Sequence, residues 1–92
     1  MEVQVESAPT AHGWDCDVEI VEGSRSSRHN VRVSRVDLER WGAPGEEGPD
    51  ALMRRAFEFL LRREGPEQIL KSFELADVSR YVPEFWDEME RA

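Results

Sequence analysis

The chain has 92 residues and a net charge of −8, which leaves room for one hydrophobic core and excludes a second. The acidic total opposes nucleic-acid backbones and anionic membrane surfaces at long range. Cys16 is the one cysteine, so an intramolecular disulfide is excluded.

The charge is unevenly placed. Residues 1–23 carry six acids and no Lys or Arg, whereas residues 24–41 carry five Arg against two acids. No stretch approaches the ~20 apolar residues that span a bilayer, and Met-Glu-Val-Gln-Val-Glu at the start has neither the basic nor the apolar run of a signal peptide. These features lead to the expectation of a cytoplasmic protein with no membrane contact.

Val3 and Val5 alternate with Glu2, Gln4 and Glu6, the period of two that marks a strand. Pro9 and Gly13 place a loop over 7–13. Trp14, Cys16, Val18 and Ile20 then alternate with Asp15, Asp17 and Glu19, a second strand with one face on a core.

Gly23-Ser24-Arg25-Ser26-Ser27 reads as a polar loop, and a third strand is predicted over Arg28–Arg35. Two registers satisfy its packing. One sets Ile20 against Val31, Val18 against Val33 and Glu19 against Arg32; the other sets Val18 against Val31 and Asp17 against Arg32. The first is preferred because packing and charge agree in it.

Ser34 and Asp37 have the spacing of a capping box opening a helix over Val36–Trp41. Gly42-Ala43-Pro44-Gly45-Glu46-Glu47-Gly48-Pro49 is a glycine-rich turn. Asp50 is placed to cap the strongest helix, Ala51–Glu64, on which Leu52, Met53, Ala56, Phe57 and Leu60 share one side. Phe59 and Leu61 widen that side, so this helix is expected to be central.

Gly65 and Pro66 separate it from a predicted helix over Pro66–Ser72, anchored by Ile69, Leu70 and Phe73. A turn or two is expected over Leu75–Tyr81, and a last helix over Glu84–Arg91. The order predicts an α+β domain spanning residues 1–92. A three-stranded antiparallel sheet from residues 1–35 would be covered on one face by three to five helices from residues 36–92.

The chemistry-bearing residues do not assemble into a known motif. His12, Cys16 and His29 are the soft metal ligands, but the chain has neither CxxC nor HxxxH spacing. Cys16 shares the inward face of its strand with Trp14 and Val18, as a small core hydrophobe does. Ser26 and Ser27 near His29 lack the glycine pattern of a nucleophile elbow. The glycines at 42, 45 and 48 have no preceding strand and no Lys-Ser/Thr, so no phosphate loop is read there.

Glu58 lies among arginines at helical spacing, which keeps a carboxylate ionised and unsuited to acid catalysis. No catalytic residue, cofactor or metal is predicted.

Arg25, Arg28 and Arg32 form a candidate basic patch for nucleic acid, with Arg35 and Arg40 nearby, though no aromatic interleaves them. At the C-terminal end, Tyr81, Phe85, Trp86 and Met89 are large apolar groups among acids. Tyr81 and Phe85 are expected to close the core. Trp86 and Met89 are the candidate partner-binding residues.

Taken together, Arg28-His29-x-Val31-x-Val33, Phe57-Glu58-Phe59-Leu60-Leu61-Arg62-Arg63-Glu64, Ile69-Leu70-x-x-Phe73 and Ser79-Arg80-Tyr81-x-Pro83-Glu84-Phe85 resemble a group of short bacterial proteins of unknown function. The likeness covers about residues 28–86 and implies a bacterial cytoplasmic protein, without implying any activity, cofactor or site residue.

The expected function is that of a non-enzymatic module binding another protein, most simply as a monomer. The alternatives are a nucleic-acid-associated, antitoxin-like regulator using the Arg-bearing hairpin, and a minor enzyme or metal protein using His29 and Cys16.

Overall fold

The computed structural model describes residues 1–42 and 48–90. The chain forms strands β1 (Glu2–Pro9), β2 (Gly13–Glu22) and β3 (Arg25–Ser34), then helices α1 (Arg35–Trp41) and α2 (Gly48–Leu61). A 3-10 turn at Pro66–Gln68, strand β4 (Ser72–Glu74), a 3-10 helix at Leu75–Arg80 and helix α3 (Phe85–Glu90) follow. The fold is α+β. Among the described residues, no helix is long and apolar enough to cross a membrane.

The sheet has four strands in the order β1-β2-β3-β4. The first three are antiparallel, and β4 adds in parallel to β3, with Asn30 opposite Ser72 and Arg32 opposite Glu74. This corrects the expectation of three antiparallel strands and of a helix running to Ser72. After Gln68 the chain is extended, and in extended chain neighbouring side chains diverge. Ile69 is buried while Leu70, expected as an anchor, is 54% exposed.

Neither predicted register of the central hairpin forms. The structure pairs Cys16 with Val31, Val18 with His29 and Glu19 with Arg28. The turn is only Gly23-Ser24, so Arg25, Ser26 and Ser27 are strand residues rather than loop. Gly23 has φ +61° and, among the described residues, no non-glycine residue has positive φ, the pattern of a type II′ turn with glycine first. That turn matches the strand twist and sets the register, so the ion pair made is Arg28–Glu19 at 3.6 Å instead of Arg32–Glu19.

A second close approach needs glycine. A Cβ at Gly13 would lie 2.0 Å from the carbonyl oxygen of Val33, so β2 and β3 could not meet there with a side chain between them.

The Ser34 side chain caps α1, accepting from the Asp37 amide at 3.1 Å. Helix α2 begins at Gly48, before Asp50, and ends at Leu61, before Glu64. Asp50 is thus a first-turn residue rather than the cap, and its carboxylate accepts from Ser7 Oγ of β1. The glycine-rich turn at 42–48 falls mainly on residues 43–47, outside the described residues.

The inner face of the sheet, formed by Cys16, Val18, Ile20, Val31 and Val33, is buried with Leu52, Met53, Ala56, Phe57 and Leu60 of α2. Helix α2 contacts β1, β2, α1 and α3, as its wide apolar side requires. Beyond α2 an aromatic cluster joins α1 to α3: Trp41 meets Phe85 at 5.9 Å and Trp86 at 5.3 Å, both edge-on.

Candidate binding surface

Trp86 and Met89 do not form an exposed pair. Met89 is 2% exposed and belongs to the core, which corrects the expectation. In α3 it stands four residues after Phe85, itself buried, and that spacing puts both on one helix face. Trp86 is half-buried, with its ring against Trp41 and beneath the Arg40 guanidinium at 4.1 Å.

Tyr81, expected in the core, is instead 73% exposed. It follows Val78 by three residues at the end of a 3-10 helix, where such residues eclipse. Both accordingly face one cleft, Val78 buried within it and Tyr81 standing out in solvent.

That cleft lies between the 69–73 segment and the Leu75–Arg80 helix and encloses about 250 Å³. Leu60, Ile69, Phe73, Val78 and Val82 give it a mainly apolar lining, while Glu64, Gln68 and Asp77 add the polar part. Leu70 also lines it and is exposed. Asp77 is engaged by Arg80 at 3.8 Å. Arg63 of the preceding turn pairs with Glu84 and lies 5.0 Å over the Phe59 ring.

A buried histidine supports this segment. His29 is 3% exposed and packs 5.5 Å from the Phe57 ring. Its Nδ1 lies 2.8 Å from the Leu70 carbonyl oxygen and its Nε2 3.0 Å from Ser27 Oγ. A carbonyl can only accept, so Nδ1 carries a proton, and in the neutral imidazole Nε2 accepts from the serine hydroxyl. The Asn30 amide adds a bond to the Lys71 carbonyl at 2.7 Å.

Cys16 is fully buried. Burial pushes its thiol pKa up, with the charges of Asp50, Asp15 and Asp17 acting the same way against a hydrogen bond with Ser7. Such a thiol is a poor nucleophile at neutral pH. Among the described residues, no group of three or more His, Cys, Asp and Glu is placed to hold a metal ion.

The three arginines of the candidate basic patch do not converge. Arg28 and Arg32 share the outer sheet face; Arg25 has the opposite strand parity and sits beside the turn. Arg28 meets Glu19, and Arg32 lies opposite Asp15, 3.9 Å from Glu74, and donates to Asn30 and Ser72. Five carboxylates on β1 and β2, from Glu2, Glu6, Asp15, Asp17 and Glu19, share that face.

Sequence reasoning missed three contributors to this arrangement: exposed Leu70, exposed Tyr81, and Arg55. Arg55 donates from Nη1 to the Met89 carbonyl at 2.6 Å and from Nη2 to the Trp41 carbonyl, tying the ends of α1 and α3 together. Pro66 fits the first position of a short 3-10 turn as well as that of a helix, so it gave no signal for Leu70. Nothing in the helical pattern distinguished Arg55 from the arginine beside it. Comparison of the chain with protein-family models, curated proteins and solved structures finds no match.

Proposed function

We propose that this protein is a non-enzymatic module that binds a segment of another protein in the cleft between Leu70 and Tyr81. One observation carries the reading: two large apolar side chains, 54% and 73% exposed, flank a mainly apolar cleft. Exposed apolar groups gathered at one depression mark an interaction site more often than groups scattered singly.

The charge around the cleft selects the occupant. Among its lining residues, two carboxylates, Glu64 and Asp77, face it and no Lys or Arg does. A partner segment with one large apolar side chain flanked by Lys or Arg would fill the cleft and face this acidic rim.

The nucleic-acid reading loses support because Arg28 and Arg32 already face carboxylates on an acidic sheet face. An enzyme using His29 and Cys16 loses support because both are buried and neither opens on a cleft with the other. The module would act as a monomer in the cytoplasm, the acidic first strand opposing pairing between copies.

The test is selection of a displayed random-peptide library against the full chain, with a Leu70→Ser/Tyr81→Ser double variant as counter-target. Both positions are exposed, so the variant should fold. The proposal expects enriched peptides with an apolar residue beside a basic one, binding the double variant at least about tenfold more weakly. Peptides that bind both proteins equally, or no enrichment, would reject it.

A further inference from the structure

The cleft is not the only surface equipped for a partner. Strand β1 pairs with β2 through all eight of its residues and, among the described residues, ends the sheet. Its other side therefore presents a row of backbone N–H and C=O groups, alternate residues pointing away from β2. Such an edge is a template for another strand.

Side chains determine which strand fits. On the inner side, Val3 and Val5 pack against the core near α2, so an added strand would continue this apolar layer with its own apolar residues. On the outer side, Glu2, Gln4 and Glu6 are exposed. Behind them Asp17 and Glu19 lie opposite Glu6 and Gln4. Neither β1 nor β2 carries a Lys or Arg; on β3, Arg28 lies 3.6 Å from Glu19.

We infer that β1 accepts an extended segment of another protein as a fifth, antiparallel strand, with Lys or Arg alternating with apolar residues. Its basic side chains would stand opposite Glu2 and Glu6 and its apolar ones beside Val3 and Val5. A second copy of β1 is the poorer occupant. It would bring another row of Glu2 and Glu6 alongside the first, between two chains each of net charge −8.

This surface is separate from the cleft, so either proposal can fail alone. The experiment follows the backbone amides of the full chain by NMR during titration with a capped Lys-Val-Lys-Val-Lys-Val-Lys peptide. The inference expects shifts concentrated on residues 2–9, slowed hydrogen exchange at alternate β1 amides, and unchanged binding by Leu70→Ser/Tyr81→Ser. A Glu-Val-Glu-Val-Glu-Val-Glu peptide should bind about tenfold more weakly, and Glu2→Lys/Glu6→Lys should reverse that preference. N-methylation of the peptide's edge-facing amides should abolish binding. Shifts elsewhere, equal affinity for the two peptides, or tolerance of N-methylation would overturn the inference. A concentration-dependent dimer by sedimentation, with β1 amides protected in it, would assign the edge to a second copy instead.

Discussion

His29 Nδ1 donates to the carbonyl oxygen of Leu70 at 2.8 Å, so a residue buried in the sheet holds the backbone of one of the most exposed apolar residues. The cleft is thereby built on the rigid part of the molecule. With His29 set between Ser27 Oγ and that carbonyl, the 69–71 segment is anchored to β3 at two successive points, the second being the Asn30–Lys71 backbone bond.

His29→Leu should keep the packing against Phe57 and lose both hydrogen bonds. A cost of about 1–2 kcal/mol is expected in urea unfolding, together with faster amide exchange over residues 69–72. Unchanged exchange there would show that the histidine does not restrain the cleft.

Arg55→Ala should destabilise the fold by about 2–4 kcal/mol, because two backbone carbonyls lose a charged donor. Arg55→Lys should recover less than half, since an ammonium cannot reproduce the planar fork that reaches both carbonyls. Equilibrium unfolding of the two variants checks this.

Cys16 contributes a pH dependence. Its folded-state pKa is raised above the ordinary value of about 9.0, chiefly by burial. A raised acid favours the fold while protonated. The contribution is therefore complete below the unfolded value and is lost as pH rises through and above it. Urea unfolding between about pH 8 and 10.5 should show a steeper loss of stability for the parent chain than for Cys16→Ala. Parallel curves would contradict the assignment.

Gly23→Ala should cost about 1 kcal/mol, since Gly23 has φ +61°. A Cβ there meets nothing within 4 Å, so the penalty is purely conformational. Ser24→Ala should be neutral. Thermal unfolding of both variants separates the two positions.

These residues also mark how far the sequence could be read. Strand alternation identified the inward faces of β2 and β3, and every even-numbered shift of register preserves those faces. Packing alone therefore could not choose among registers, and the turn chemistry of Gly23-Ser24 did. Strand β4 has three residues, too few for periodicity to show, and its parallel pairing depends on a crossover distant in sequence. On α2 the apolar side of Leu52, Met53, Ala56, Phe57, Phe59 and Leu60 was legible, because fourteen helical residues repeat it several times, whereas buried Pro49 was read as turn.

The candidate site was legible only in part. The C-terminal segment was recognised as carrying surplus apolar groups, but the assignment was inverted: Met89 is buried and Tyr81 exposed. Six helical residues give little pattern, yet the four-residue step from Phe85 ties Met89 to the core. Tyr81 sits where a 3-10 helix ends and a helix-based reading has no angle to assign it.

The most direct measurement of the central proposal is an NMR titration of the full chain with a peptide obtained by selection against it. Amide shifts centred on Ile69–Lys71 and Val78–Val82, and absent in Leu70→Ser/Tyr81→Ser, are the predicted result. Shifts centred on the hairpin residues Arg25–Arg32, with the cleft unperturbed, would contradict it.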